Sequence, residues 1–192
     1  MPQVGPIVGI LLAAGRSERF GSDKLLHRLA AGTPLVLGAA RALRATCDRT
    51  VAIVRPGCDE LAGVLAAEGV EVVINAQPEQ GMGHSLACGV RSSADAGAWL
   101  VALADMPFIA QSTFRCVVDA LRAGSSIAAP WLKGRRGHPV GFSSCWFEQL
   151  AALSGDAGAR SVLSAHPDQI HACAVDDINI FRDIDERADL GP

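Results

Sequence analysis

Two short stretches hold the residues best suited to chemistry on phosphates. The first is Val8-Gly9-Ile10-Leu11-Leu12-Ala13-Ala14-Gly15-Arg16-Ser17-Glu18-Arg19-Phe20-Gly21-Ser22-Asp23-Lys24. It begins as an apolar run of the kind that forms a strand buried on both faces, then breaks at Ala14-Gly15 into a small, polar, basic segment. Side chains without bulk let a ligand approach the backbone, and Arg16, Arg19 and Lys24 set positive charge beside the exposed amides. Such a loop at the carboxyl end of a first strand binds anions, typically phosphates. Lysine occurs at only one other position, Lys133, which sets Lys24 apart from a scatter of surface lysines. The second stretch is Leu103-Ala104-Asp105-Met106-Pro107, where a carboxylate follows an apolar run and a proline fixes the turn. Asp105 there can hold Mg²⁺, which keeps several waters and bridges one or two carboxylates to phosphate oxygens. An aspartate opening an ordinary turn looks the same in isolation; the glycine loop in the same chain favours the metal.

Familiar phosphate motifs do not fit. Five residues separate Gly15 from Gly21, and Ser22-Asp23 precede Lys24, so Walker A spacing is absent, as is G-x-G-x-x-G. No G-x-S-x-G or paired Cys/His motif supports hydrolysis through a covalent nucleophile. The five histidines show no metal-ligand spacing. Six cysteines lie scattered without a C-x-x-C pair and read as small buried hydrophobes in a reducing compartment. The first residues lack a signal-peptide pattern and the apolar run after them is too short to span a bilayer, so a cytoplasmic protein is expected. With a net charge of −3, nothing points to nucleic acid.

The scaffold that positions these residues reads as alternating strands and helices. Strands are expected near residues 8–12, 50–54, 70–74, 99–104 and 126–130. Helices are expected at 34–44, capped by Thr33 with Pro34 at its first position, and at 60–68, 85–92 and 112–123. Residues 75–83 read as a polar loop. Beyond Trp131 the pattern changes: a basic turn at 133–139, an extended 140–142, a helix opening at Gly155 and running to about 165, and a strand at 170–175. Residues 179–185 read as extended or looped, and 186–190 as a last short turn. The βα alternation predicts an α/β protein with a mostly parallel central sheet between helical layers. At 192 residues, 49% hydrophobic and 19% charged, one domain is expected over 1–192.

These stretches together resemble the MobA-like nucleotidyltransferases, over nearly the whole chain. Leu12, Ala13, Ala14, Gly15, Ser17, Arg19, Phe20, Gly21 and Lys24 fit the signature loop of enzymes that activate sugars and cofactors, and residues 103–107 fit their L-x-D-x-P element, whose aspartate binds the metal. Gln80-Gly81-Met82-Gly83-His84-Ser85-Leu86 is similar to the family's G-M-(G/S)-x-S-L element. Gly134-Arg135-Arg136-Gly137-His138-Pro139-Val140-Gly141-Phe142 and Gly155-Asp156-Ala157-Gly158-Ala159-Arg160 resemble the pair that faces the acceptor in the molybdenum cofactor cytidylyltransferase branch. Phe181-Arg182-Asp183-Ile184-Asp185-Glu186 resembles that branch's terminal D-I-D pattern, with Glu186-Arg187-Ala188 replacing its T-P-E.

The resemblance implies a three-layer, Rossmann-like nucleotidyltransferase fold, with a nucleotide-binding part over about 7–110 and an acceptor-binding part over about 111–190. It implies Mg²⁺-dependent transfer of CMP from CTP to the terminal phosphate of a molybdopterin-type acceptor, releasing pyrophosphate. The product would pass to a molybdoenzyme. Arg16, Lys24 and Asp105 would be catalytic. Leu12, Ala13, Ala14, Gly15, Arg16, Lys24, Gln80, Gly81, Ser85, Ala104 and Asp105 would meet the nucleotide. Arg136, Gly137, His138, Pro139, Asp156 and Arg160 would meet the acceptor, His138 without a catalytic role. Asp105 and Asp183 would hold the metal, with Asp185 in reserve. Two alternatives stay open: a nucleotidyltransferase acting on a sugar or alcohol phosphate, and a non-catalytic carrier of the cofactor.

Overall fold

Apolar runs too continuous for a half-exposed sheet make the centre of the molecule. β1 (Ile7–Leu12), β2 (Arg49–Val54) and β4 (Ala98–Leu103) are buried along almost their whole length, as strands covered on both faces must be. The computed structural model describes residues 5–15, 20, 23–30 and 32–190. Successive side chains divide between two cores. Leu11, Ala52 and Leu100 pack with α1 (Val36–Arg44), α2 (Asp59–Ala67) and α4 (Gln111–Arg122). Ile10, Ile53 and Trp99 pack with α3 (Gly81–Ser92), α5 (Phe147–Ala151) and α6 (Arg160–Ala165). The period of two along each strand thus builds three layers, helices on either side of one sheet.

That sheet has eight strands in the order β3-β2-β1-β4-β7-β5-β6, with β8 also paired to β5. The remaining strands are β3 (Glu71–Ile74), β5 (Ile127–Leu132), β6 (Arg135–Arg136), β7 (Val140–Ser143) and β8 (Ile170–Ala174). Pairing is parallel for β1 with β2 and β4, β2 with β3, and β5 with β8. β7 runs antiparallel between β4 and β5, and β6 antiparallel to β5. The α/β architecture with a mostly parallel sheet is as the sequence indicates.

Several boundaries differ from the sequence reading, each for a tertiary reason. α1 begins at Val36 with no side-chain cap. Pro34 instead bridges Arg28, and Leu35 N–H donates to His27 O, so the Thr33-Pro34 cap is spent on a small antiparallel contact. α3 begins at Gly81, four residues before Ser85. Its glycine-rich first turn is held from outside: Gly83 N–H donates to Gly155 O at 2.7 Å, and Gly155 N–H to Gln80 O at 2.8 Å. The basic turn carries the two-residue β6, α6 starts at Arg160 rather than Gly155, and α5 went unanticipated. The cysteines are all free, but only Cys173 is fully buried, and Cys145 is exposed. Among the described residues no helix is long and apolar enough to cross a membrane.

A Cβ on Gly38, in α1, would collide with the backbone of Pro107. The helix therefore lies directly against the turn that carries Asp105, and close packing fixes that turn.

Candidate active site

β1 and β4 are neighbours in register, Leu12 opposite Leu103, and β2 and β3 continue from β1 on the side away from β4. The strand order reverses between them, and a reversal of this kind opens a crevice beyond the carboxyl ends of the strands. Both stretches singled out in the sequence leave the sheet there, the Gly15 loop from β1 and Asp105 from β4. Ala104 N–H donates to Leu12 O at 3.1 Å, so the two chains stay together as they leave.

Lys24 returns to this edge through a short 3-10 turn, Lys24–Leu26, capped by the Asp23 carboxylate, which accepts from Leu25 N–H at 3.3 Å. Its ammonium donates to Asp105 Oδ2 at 3.0 Å and to Asp185 Oδ1 at 3.3 Å. Lys24 is only 7% exposed, so this is a buried pairing rather than a surface ion pair. The tail is tied to the same turn: Ile184 N–H donates to Asp105 O at 2.9 Å, and Ile184 is fully buried. Residues 81 and 161 positions apart in sequence from Lys24 meet at one ammonium.

Asp105 is strained electrically. Burial raises its pKa above the usual aspartate value; Lys24 pulls it back, and the charge of Asp183 pushes it up again. Its second oxygen, Oδ1, is buried and has no hydrogen-bond partner among the described residues. A buried carboxylate oxygen left without a donor is costly unless a cation takes that place. Among the described residues no group of three or more His, Cys, Asp or Glu is assembled for a metal. The donor set instead suits an ion held by one or two carboxylates and completed by water and phosphate oxygens, as Mg²⁺ is. Asp105 has an unpartnered oxygen to offer such an ion, and Asp183 lies close enough for its charge to raise the Asp105 pKa.

Two cavities open from this edge. The larger, about 700 Å³, is lined by Leu12, Ala13, Ala14, Gly15, Lys24, Gly81, Ser85, Ala104 and Asp105, and also by Glu79, Met82 and Asp156. The smaller, about 230 Å³, is lined by Arg136, Gly137, His138, Asp156 and Arg160 among others. Leu12, Met82, Leu103 and Asp156 belong to both walls, so the cavities are adjacent. Nearly all the residues expected to meet a nucleotide or an acceptor thus sort into two neighbouring spaces. Arg16, like Ser17, Arg19 and Gly21 of the same loop, lies outside the described residues. Gln80 and Pro139 are off the walls; Gln80 holds the wall through its carbonyl, and Pro139 follows His138 through a cis peptide.

The charge is divided as unevenly as the volume. The larger cavity shows one described cation, Lys24, against Glu79, Asp105 and Asp156. In the smaller, Arg136 has its pKa lowered by burial and by the neighbouring charge of Arg160. Glu79 was not among the expected site residues, and Met82 figured only within the G-M-(G/S)-x-S-L element, without a role of its own; the signal for Glu79 was its place beside that element.

His138 is held neutral: burial, with Arg136 adding to it, brings its pKa from 6.5 to about 4. The unfolded chain therefore binds a proton between pH 6.5 and 4 that the folded chain does not, and stability falls as pH falls through that window. The shift corresponds to roughly 3 kcal/mol at its acid end. Urea unfolding of wild type and His138→Gln at about pH 5 and pH 7 should show a smaller acid loss in the variant. Equal acid losses would remove this role for His138.

Residues 9–170 match the MobA-like NTP transferase domain. The chain belongs to that family. Its relatives include the purine catabolism protein PucB of Bacillus subtilis, 30% identical over 83% of this chain and 81% of that one. Nicotine blue oxidoreductase of Paenarthrobacter nicotinovorans is 29% identical over 93% and 92%. Among solved structures, Rv0371c of Mycobacterium tuberculosis H37Rv superposes with a TM-score of 0.84 and 28% identity, covering 97% of this chain and 95% of its own. That protein has also been solved with manganese, a divalent cation. The family match stops before the tail that brings Asp183 and Asp185 to the site.

Proposed function

We propose that this NTP transferase moves a nucleoside monophosphate from CTP onto the terminal phosphate of a molybdopterin-type acceptor, releasing pyrophosphate. The observation that carries the reading is the sharing of one wall by two cavities of opposite character. One is headed by the Lys24–Asp105 pair, the other by Arg136 and Arg160. The triphosphate lies in the larger space with its α-phosphorus toward the shared wall, and the acceptor phosphate enters the smaller one. Two arginines that repel each other in a half-buried space gain most from a dianionic partner, which they meet through forked donors.

The chain within 7–110 supplies most of the nucleotide wall, and that within 111–190 most of the acceptor wall. Lys24, joined by Arg16, neutralises phosphate oxygens, including those of the departing pyrophosphate. Asp105 and Asp183 hold Mg²⁺, which when bound polarises the phosphoryl group and offsets the acidic lining. The acceptor oxygen attacks the α-phosphorus, the bond to the pyrophosphate oxygen breaks on the opposite side, and the chain supplies no nucleophile of its own. Its contribution is alignment and fixed charge. Among the described residues, a Cβ at Gly15 would meet nothing within 4 Å. The space suits a close-lying phosphate.

The choice of cytidine rests on the resemblance to the molybdenum cofactor branch, in which an Ala-Gly loop like Ala14-Gly15 accompanies cytidine and a Gly-Gly loop guanosine. One methyl is worth about 1–3 kcal/mol of discrimination. The deciding experiment incubates the purified chain with Mg²⁺ and each nucleoside triphosphate, with and without molybdopterin, and follows pyrophosphate. Release that is CTP-selective and pterin-dependent supports the reading. Release with a sugar or alcohol phosphate and none with the pterin replaces the acceptor. Tight pterin binding with no release makes the chain a carrier.

A further inference from the structure

Behind the nucleotide wall lies a buried hydrogen-bond network centred on Asn75. Asn75 follows β3 at the same edge of the sheet as Asp105, is fully buried, and continues the strand pairing by donating its N–H to Val54 O at 2.8 Å. Its side-chain oxygen accepts from the backbone N–H of Gln77 at 3.0 Å and lies 3.0 Å from His84 Nδ1. Its amide nitrogen donates to Ser85 Oγ at 3.0 Å.

The direction of every bond in this network is set by one of them. A backbone N–H can only donate, so the side-chain atom facing Gln77 is the Asn75 oxygen. The NH₂ group therefore faces Ser85, and Ser85 Oγ is obliged to accept. His84, beside an oxygen, must present a protonated Nδ1. The one proton on Ser85 is then released in another direction. Among the described residues it reaches only Gly81 O, at 3.4 Å, near the long limit of a hydrogen bond. Its other outlet is the 700 Å³ cavity, whose wall Ser85 helps to form.

We infer that Asn75 is a positioning residue for nucleotide recognition: by occupying the acceptor side of Ser85 Oγ, it turns the serine hydroxyl into an obligatory donor aimed at an acceptor atom of the bound nucleotide. The inference rests on the larger cavity being the nucleotide site. The ligand group it selects is a hydrogen-bond acceptor, such as a carbonyl oxygen, a ring nitrogen without hydrogen, or a phosphate oxygen. Asn75 touches no substrate and acts only through Ser85.

The test is a double-mutant cycle on nucleotide binding with Asn75→Asp, Ser85→Ala and the combination. In Asn75→Asp the carboxylate still accepts from Gln77 N–H and His84 Nδ1, but it has no hydrogen to give Ser85. The serine hydroxyl turns round and donates inward, away from the cavity. Titrating the full-length chain with each common nucleoside triphosphate and Mg²⁺ gives the tightest ligand, for which each single variant should bind about tenfold more weakly. The combined variant should bind no more weakly than Ser85→Ala, because Asn75 has nothing left to aim. A loosened loop or an added charge would instead weaken binding further in the Ser85→Ala background, and that result overturns the inference. So does wild-type affinity in Asn75→Asp. A wild-type chain that binds no nucleoside triphosphate overturns the nucleotide site itself, and this inference with it.

Discussion

Asp105→Asn is expected to release pyrophosphate about a hundred- to a thousandfold more slowly than the wild-type chain, while unfolding at the same or a higher denaturant concentration. The two halves of that expectation come from the same geometry. The asparagine oxygen can still accept from Lys24, as Oδ2 does at 3.0 Å. Lys24 also keeps Asp185. What disappears is a carboxylate charge that burial and Asp183 disfavour, along with the ability to hold a cation at the unpartnered Oδ1. A residue kept for packing or pairing lowers stability when changed; one kept for chemistry at the expense of the fold does not. Initial rates with saturating Mg²⁺, set beside urea unfolding curves, check both halves. Loss of stability together with near-normal turnover would reverse the assignment.

Lys24→Met is expected to fail in the opposite manner, in both activity and fold. Removing the ammonium leaves Asp105 and Asp185 on either side of an apolar side chain at a site where Lys24 was 7% exposed. Breaking a buried pair on one side is strongly destabilising, up to about 3–5 kcal/mol when fully buried; here the carboxylates keep some water, and about 1–3 kcal/mol is expected. The variant's pH dependence identifies the cause. Without Lys24, Asp105 keeps the influences that raise its pKa and loses the strongest of those that lower it. An acid whose folded pKa lies above its unfolded value costs stability above the folded pKa, and the cost vanishes below the unfolded one. The stability gap between Lys24→Met and wild type should therefore narrow as pH falls from about 7 toward the acid range, where chemical denaturation can follow it. A gap independent of pH would point to lost packing of the lysine stem instead. Turnover should fall about a hundredfold or more through the missing phosphate contact, and Lys24→Arg should restore part of it.

How far the chain could be read in advance depended on where the determining forces lie. The buried strands at 7–12, 49–54 and 98–103 were legible because their apolar runs need no partner to be recognised. The Gly15 loop and Asp105 were legible as chemistry because they are polar where the surrounding pattern is apolar. Their meeting at one crevice required only the strand order, which βα alternation already constrains. The start of α3 was illegible because Gly81 and Gly83 are poor helix formers, held in place by Gly155 from far along the chain. α5 was missed because its short amphipathic turn becomes a helix only by packing Leu150 into the core and Phe147 against Trp99. Asn75 gave no signal, since an asparagine after a strand usually makes a turn. Its importance appears only once Gln77, His84 and Ser85 are seen around it. The partition of charge between the two cavities was likewise invisible, because Asp156 and Arg136 come to one cavity wall only in the folded chain.

The central claim is that the nucleotide in one cavity is attacked directly by the anion in the next. It is tested by using a nucleoside triphosphate bearing sulfur at the α-phosphorus in one known configuration and determining the configuration in the product. Direct displacement, with no group of the chain taking the nucleotide first, predicts inversion at phosphorus. Retention would mean that a residue of the chain becomes nucleotidylated on the way, and would contradict the account.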